Sequence, residues 1–274
     1  MRNADGDRYL ATLYAPQGRR HALLALYAFN VEIAGIRDRI RESLPGEIRI
    51  QWWRDVLSSE DAYAGEGHPV AAALKRTISE HRLPVQPFES YLEARIFDLY
   101  DDPMPSRGDL EGYCGETAAA LVQLAALVLD PAAAPDFAEA AGYAGCAQAV
   151  TGILRLLPLH RARGQCYVPR DILAAAGITP EEFVQGSSPQ SDARVVAAMA
   201  ALAGEHVARF ARAAKGMPAS LRPAFLATAL VPAYLVAVER LGSAATGRVA
   251  DISSLRRHWL LLRHAGKGWP EPAL

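Results

Sequence analysis

Apolar residues recur at three- and four-residue intervals along most of the chain, which is the period of an amphipathic α-helix. Between residues 19 and 42 one helical face carries Leu23, Leu26, Tyr27, Asn30 and Ile33. The same period predicts further helices over residues 45–59, 87–101, 110–129, 136–157, 192–215, 225–241 and 251–264. Sustained alternation of apolar and polar residues, which would indicate strands, is not found. The pattern therefore predicts an all-α protein.

Clusters of Pro, Gly and Ser at residues 65–69, 103–108 and 186–191 separate some of these helices. The clusters are short, so they predict loops between helices and not linkers between domains. We therefore expect a single domain over residues 1–274.

The predicted helix over residues 45–59 places Ile48, Trp52 and Val56 on one side. It also contains the doublet Trp52–Trp53. Adjacent residues point to different sides of a helix. The doublet therefore predicts one core tryptophan and one at a pocket wall or an interface.

Composition narrows the class of protein. The net charge is −1, with 51% hydrophobic and 22% charged residues, so a globular protein is expected and nucleic-acid binding has no electrostatic support. The spacing of the three cysteines, Cys114, Cys146 and Cys166, fits neither a disulfide framework nor a metal site, which favours a reduced, cytoplasmic-type location.

Membrane association is judged from the apolar stretches. The first residues lack the apolar segment of a secretory signal, although a removed presequence stays open. The apolar stretch 224–238 is shorter than the roughly 20 residues of a membrane span. It contains Pro232 and predicts a buried helix. At most peripheral contact, for example with an inner membrane, is left open.

Several separated segments resemble the squalene/phytoene synthase family. In order over residues 8 to 173 they read RRHALLALYAF, IRIQWWRDVL, LEGYCGETAAALVQL and GILRLLPLHRARGQCYVP. The family joins two prenyl diphosphates head to head. The resemblance implies the isoprenoid-synthase-like fold, a single helical bundle around a central cavity.

The family binds its diphosphate through Mg²⁺ held by aspartates one helical turn apart on two facing helices. Mg²⁺ prefers oxygen ligands in octahedral geometry, so the carboxylates must converge. The corresponding positions here are Ala34 and Asp38 on one helix and Leu156 and His160 on the other, with Gly152 in place of a family Asn. Only Asp38 is a carboxylate. We therefore expect no metal and no Mg²⁺ cofactor, and no catalytic residue is assigned.

Other polar residues could rebuild a site. Asp98, Asp101 and Asp102 have helical spacing and predict either a solvated helix end or, together with Asp38, a new metal site. His160 is interpreted as a solvated residue at a helix end. A further group consists of Arg155, Arg161, Arg163 and Tyr167. These residues are interpreted either as contacts to an anion or a pocket, or as partners in ion pairs with nearby acids.

With its missing aspartates and the segments YAFNVEIA and IRIQWWR, the chain resembles a branch of the family that contains mitochondrial assembly factors for respiratory complex I. This implies a non-catalytic lipid-binding or respiratory-complex assembly protein, with a lipid, an isoprenoid-like ligand or a protein partner. The alternative is a prenyl diphosphate transferase of the head-to-head type with a rebuilt Mg²⁺ site. We expect a retained apolar tunnel or, alternatively, a filled core; the tunnel would be lined by Leu26, Phe29, Ile33, Ala118, Leu121, Val122 and Val150.

Overall fold

The computed structural model describes residues 1–61 and 63–269. Its α-helices are α1 (Gly6–Thr12), α2 (Gln17–Ala34), α3 (Ser43–Ser58), α4 (Pro69–His81), α5 (Gln86–Ala94), α6 (Arg107–Cys114), α7 (Ala120–Leu129), α8 (Ala138–Arg155), α9 (Leu157–Ala162), α10 (Arg170–Ala175), α11 (Pro180–Gln185), α12 (Pro189–Ala213), α13 (Arg222–Phe225), α14 (Val231–Leu241) and α15 (Ser254–Lys267). No β-strand occurs in these ranges. The all-α prediction is confirmed.

Short 3₁₀ and π segments join several of the helices. The 3₁₀ turns are Arg37–Arg39, Arg95–Leu99, Ala134–Phe137, Leu226–Leu230 and Gly242–Thr246. The segment Gly115–Ala119 is a π-helix between α6 and α7. Residues 107–129 therefore form one continuous helical stretch with a local change of winding.

The predicted face of α2 is the face that the protein buries. Its residues Leu23, Leu26, Tyr27, Asn30 and Ile33 all lie in the interior. Phe29, also fully buried, has its ring centroid within 6 Å of the rings of Trp53, Phe88 and Tyr91. This aromatic cluster fills the space between α2, α3 and α5.

The predicted helix over residues 19–42 is wrong at its C-terminal end. Helix α2 stops at Ala34, and Gly35, a weak helix former, caps it by donating its N–H to the carbonyl of Val31 at 3.0 Å. Asp38 lies on the following 3₁₀ turn. Ala34 and Asp38 are therefore not one turn apart on a single α-helix.

The predicted helix over residues 136–157 is divided in a similar way. Helix α8 ends at Arg155, and α9 begins at Leu157 with Pro158 in its first turn. Proline lacks an N–H and suits a first helical turn but not a helix interior. Leu156 lies at the junction, so Leu156 and His160 do not share α8.

Helix α3 buries only Val56 of the three residues that its pattern placed on one side. Ile48 is 62% exposed and Trp52 is also exposed, whereas Ile50, Trp53 and Leu57 are buried. Apolar residues occur on both sides of this helix, so its periodicity could not select the inner side. The doublet does place one tryptophan in the core, Trp53, and one at the surface, Trp52.

Helix α8 runs through the middle of the bundle and packs against α7, α12 and the π segment. Helix α8 approaches the π segment closely at Gly145, where an added Cβ would lie 2.6 Å from the Cβ of Ala119 and closer still to the Ala119 backbone. Helix α2 packs against α4 and α7. The C-terminal ends of α2 and α8 are thereby held on either side of one pocket.

Two helical stretches, Arg107–Leu129 and Arg222–Thr246, are long and apolar enough to cross a membrane by length and composition. In each, 61% of the apolar window is buried inside the protein, as in core helices. Leu226 and Leu230, in the second stretch, are fully buried. The prediction of a buried segment at 224–238 is confirmed, although it comprises α13, a 3₁₀ turn and α14.

Candidate functional site

A pocket of about 620 Å³ lies between the ends of α2 and α8. The N-terminal segment, the turn after α2, the 3₁₀ turn after α5 and the segment around α9 complete its walls. Four of its lining residues are those singled out in the sequence as the positions of the family's metal ligands: Ala34, Asp38, Leu156 and His160. The fold thus brings together positions that lie more than a hundred residues apart in sequence.

Asp98 is the most enclosed carboxylate of this pocket, with an exposed fraction of 7%. Its Oδ1 accepts hydrogen bonds from the hydroxyls of Tyr113 at 2.7 Å and Tyr167 at 2.9 Å. Its Oδ2 accepts a hydrogen bond from Nη1 of Arg95 at 2.9 Å. A buried carboxylate is stable only when it is paired and hydrogen-bonded in this way.

Arg95 continues the network toward α2. Its Nε donates to the hydroxyl of Tyr91 at 3.1 Å, and its Nη2 donates to Oδ1 of Asn30 at 3.3 Å. The Tyr91 hydroxyl donates to the same Asn30 oxygen at 2.8 Å. The guanidinium also lies over the rings of Tyr91 and Tyr113. One side of the pocket is therefore a connected polar layer.

Burial keeps the tyrosines of this layer protonated. It raises the pKa of Tyr113 well above its ordinary value, and the negative charge of Asp98 contributes in the same direction. The pKa of Tyr167 is also raised, first by burial and then by Asp98. Both phenols thus act as hydrogen-bond donors to Asp98 and not as bases.

His160 is not the solvated residue that the sequence suggested. Its ring lies 4.8 Å from the ring of Tyr167, and its Nδ1 is buried without a hydrogen-bond partner among the described residues. Burial lowers the pKa of His160 to about 4, and the positive charge of Arg163 adds to this effect. The imidazole is therefore neutral at physiological pH.

Asp38 is engaged by an arginine. Its Oδ1 lies 2.6 Å from Nη1 of Arg163, in an ion pair that is partly exposed to solvent. The remaining carboxylate of the pocket, Asp5, also forms an ion pair with an arginine, because its Oδ2 lies 2.8 Å from Nη1 of Arg8. Each of the pocket carboxylates, Asp5, Asp38 and Asp98, is therefore paired with its own arginine.

The predicted cluster of Asp98, Asp101 and Asp102 does not form. The 3₁₀ turn ends at Leu99 and Tyr100 adopts an extended conformation, so helical spacing is lost. Asp101 is exposed and paired with Arg37 at 2.9 Å, and Asp102 is exposed; neither lines the pocket. Only Asp98 is part of the site, and the interpretation as a solvated helix end is wrong for this residue.

The donor atoms present do not fit a Mg²⁺–diphosphate cluster. Within residues 1–61 and 63–269, no group of three or more His, Cys, Asp or Glu side chains is arranged to hold a metal ion. Leu156 and Ala34 provide no ligand atoms, and a neutral imidazole at residue 160 replaces a hard oxygen donor with nitrogen. The carboxylates that are present already have arginine partners.

The other basic residues named from the sequence are ion-paired. Arg155 lies outside this pocket and borders a neighbouring one of about 430 Å³. It approaches Asp7 at 3.7 Å and Asp251 at 3.4 Å, and it stacks on Tyr234. Arg161 pairs with Asp192 at 2.7 Å. Arg155, Arg161 and Arg163 are thus ion-paired, and Arg163 and Tyr167 also line the pocket, as the prediction of pocket contacts expected.

The expected apolar tunnel is largely filled. Of its predicted lining, only Ala118 borders the pocket. The remaining residues are buried in the packed core, namely Leu26, Phe29, Ile33, Leu121, Val122 and Val150. The rings of Trp53, Phe88 and Tyr91 pack against Phe29, one of these predicted lining residues.

Four members of the site were not predicted from the sequence: Arg95, Tyr113, Gln165 and Asn30. Gln165 donates from Nε2 to the main-chain carbonyl of Asp98 at 3.3 Å. One local signal was present, since Arg95 and Asp98 are three residues apart and can meet on one helical turn. The contacts of Asp98 to Tyr113 and Gln165 come from other elements, so no local pattern indicated them.

Comparison with known proteins places these features in a family. The profile of the squalene/phytoene synthase family matches residues 1–262. The chain is 30% identical over 245 residues to complex I assembly factor 6 of Mus musculus, covering 88% of this chain and 72% of that protein. It is 29% identical over 184 residues to chloroplastic phytoene synthase 1 of Arabidopsis thaliana, covering 65% of this chain and 43% of that one.

Solved structures agree on the fold. Squalene synthase HpnC from Alicyclobacillus acidocaldarius superposes with a TM-score of 0.73 at 23% identity, over 88% of this chain and 90% of that one. A dehydrosqualene synthase in complex with a ligand superposes with a TM-score of 0.79 at 20% identity, over 97% and 92%. The bundle is thus the isoprenoid-synthase-like all-α fold. By the profile match and the sequence identity, the chain belongs to the squalene/phytoene synthase family.

Proposed function

We propose that this protein is a non-catalytic member of its family that acts in the assembly of a respiratory NADH dehydrogenase complex. One observation carries the proposal. Of the four positions that correspond to the family's metal ligands, only Asp38 has a carboxylate, and that carboxylate is paired with Arg163 at 2.6 Å. The site therefore lacks the free oxygen donors that Mg²⁺-assisted departure of diphosphate requires.

The polar layer behind the pocket supports the same proposal. Asp98 is the most enclosed carboxylate of the pocket, and Arg95, Tyr113 and Tyr167 already occupy its oxygens. Recruiting Asp98 to a metal would leave the buried Arg95 guanidinium without its counter-charge, which is costly in a low-dielectric interior. The network is better suited to holding the fold than to binding a metal.

The relatives support an assembly role. Proteins named complex I assembly factor 6 in Mus musculus and Homo sapiens match 88% of the chain at 30% and 29% identity, whereas the plant phytoene synthase matches 65%. The partner that we propose is accordingly a subunit or another assembly factor of the respiratory complex. This role does not require an isoprenoid-like ligand in the pocket.

The chemistry is tested with purified protein, Mg²⁺ and farnesyl or geranylgeranyl diphosphate. We expect no condensation product above a control without enzyme, because Ala34 and Leu156 cannot bind metal. Product that depends on Mg²⁺ and disappears in Asp38→Ala would overturn the proposal. The triple variant Ala34→Asp, Leu156→Asp, His160→Asp measures whether carboxylates alone restore diphosphate binding.

The assembly role is tested by deleting the gene in the organism that carries it. We expect membranes to lose rotenone-sensitive or piericidin-sensitive NADH:quinone oxidoreductase activity, and native gels to show less complete complex. Both the wild-type chain and Asp38→Ala are expected to restore assembly, because the role needs no metal site. Normal levels of assembled complex in the deletion strain would contradict the proposal.

A further inference from the structure

Helix α15 exposes a continuous apolar stripe. Leu255, Trp259 and Leu262 are 82%, 56% and 64% exposed, and their spacing of four and three residues places them on one helical face. Large apolar side chains scattered singly on a surface are normal, but three aligned on one helix form a patch that indicates an interaction.

Basic residues border this stripe. Arg256, Arg263 and Lys267 follow it on one side of the helix and are all exposed. The guanidinium of Arg263 lies over the ring of Trp259 at 5.4 Å. Helix α15 carries no acidic residue, and no ion pair in the described part of the chain engages these three cations.

The opposite side of the helix already anchors it to the protein. Leu261 is fully buried and belongs to a core cluster with Leu226 and Leu230. Arg257, on the same inner side, lies 2.7 Å from Oδ1 of Asp7. The outer stripe is therefore not needed to hold α15 in place, and it is free to contact something else.

We propose that the outer face of α15 binds the surface of an anionic lipid bilayer, with the helix lying in the interface plane. Leucine and tryptophan would enter the boundary between headgroups and acyl chains, where tryptophan is favoured. Arg256, Arg263 and Lys267 lie beside them, where they can meet lipid phosphates. Membrane binding through this helix does not depend on the proposed assembly role.

Charge distinguishes this occupant from a second copy of the chain. Two α15 helices packed through their apolar stripes would bring two sets of unpaired cations close together, which is unfavourable. Helix α3 gives a useful contrast, because it also exposes an apolar stripe, with Leu44, Ile48 and Trp52. Its acids Glu47 and Asp55 balance Arg49 and Arg54, so it lacks the basic border.

The test is flotation of the purified protein with two kinds of vesicle, phosphatidylcholine alone and phosphatidylcholine mixed with phosphatidylglycerol. We expect wild-type protein to float with the mixed vesicles and to be released at high salt. The variant Leu255→Gln, Trp259→Gln, Leu262→Gln removes the apolar contact. We expect its affinity for the mixed vesicles to be at least about tenfold lower than that of the wild-type protein. Glutamine is a good helix former, so the helix is retained.

Two further variants complete the test. Arg256→Gln, Arg263→Gln, Lys267→Gln is expected to lose the preference for anionic vesicles, and the matched control Leu44→Gln, Ile48→Gln on α3 is expected to bind as wild type does. Failure of the wild-type chain to float, unchanged binding of the α15 apolar variant, or an equal loss in the α3 control would each overturn the proposal. So would sedimentation showing a dimer that only the α15 apolar variant dissociates.

Discussion

Asp98 and Arg95 form the ion pair on which the polar side of the pocket depends. Both are largely buried, and the tyrosines around them also donate to the carboxylate. Such a pair adds little net stability relative to apolar residues, but the loss of one member leaves the other charge buried and uncompensated. The two members therefore depend on each other far more strongly than surface ion pairs do.

This dependence predicts a large effect of Asp98→Asn. The amide keeps the shape of the side chain but removes the charge opposite Arg95, so we expect the free energy of unfolding to fall by about 3–5 kcal/mol. Equilibrium urea denaturation measures it. The matched control is Asp101→Asn, which breaks the exposed pair with Arg37 and should cost at most about 1 kcal/mol. Equal effects of the two changes would show that the Asp98 network is not buried as described.

His160 predicts a pH dependence of stability. Its folded-state pKa is lowered to about 4 from an ordinary value of 6.5, so between these values the unfolded chain binds a proton that the folded chain does not. Stability is fully present above about pH 6.5 and falls as the pH is lowered toward 4, by at most about 3 kcal/mol, less where solvent reaches the ring.

The variant His160→Asn isolates this contribution. We expect the difference in unfolding free energy between pH 7 and pH 4.5 to be smaller in the variant than in the wild-type chain, because asparagine does not titrate. Urea denaturation of both proteins at the two pH values measures the difference. An identical loss in both would show that other groups cause the acid sensitivity.

Helix α8 illustrates how one small residue sets the distance between elements. Gly145 lies against Ala119, where the π segment crosses it, whereas Gly142 on the same helix has no atom near its missing Cβ. Glycine is less favourable than alanine inside a helix, and the close contact with Ala119 explains why residue 145 has no side chain.

We therefore expect opposite effects from two substitutions on α8. Gly145→Ala should lower the free energy of unfolding by about 1–3 kcal/mol, because the methyl group forces α8 and the π segment apart. Gly142→Ala should leave it unchanged or raise it by up to about 1 kcal/mol through helix propensity. Thermal and urea denaturation compare them. A stabilising Gly145→Ala would mean that the two elements pack less closely than described.

For the molecule as a whole, the filled core predicts whether the purified protein contains a bound lipid. Phe29 and its aromatic neighbours occupy the region where an apolar tunnel was expected. A tightly packed interior offers no space for a long chain without displacing these side chains.

We therefore expect solvent extraction and mass spectrometry of the purified protein to recover no stoichiometric long-chain lipid. Ala118 is the predicted tunnel residue that also lines the pocket, so the variant Ala118→Trp, whose larger side chain would reduce the pocket volume, is extracted for comparison. Recovery of a stoichiometric lipid from the wild-type chain that Ala118→Trp displaces would contradict the filled core and favour a ligand-binding role.

The sequence by itself determined the helical class and most of the helices, because helical periodicity is local. It also predicted that Leu23, Leu26, Tyr27 and Ile33 of α2 are buried, although apolar residues such as Leu24 and Val31 occur on other sides of this helix and are only partly buried. On α3, apolar residues also occupy more than one side, and only tertiary packing selected Ile50, Trp53, Val56 and Leu57 as the inner set. A periodic pattern predicts a helix but predicts its orientation only when one face is apolar.

The tertiary structure alone decided the state of the pocket. The sequence determined that Ala34 and Leu156 offer no metal ligand, since that depends only on side-chain chemistry. It could not determine that Asp38 meets Arg163, or that Asp98 meets Tyr167, because those partners are 125 and 69 residues away along the chain. Burial, and with it the pKa of His160 and the hydrogen bonding of Asp98, arises only when distant segments pack together.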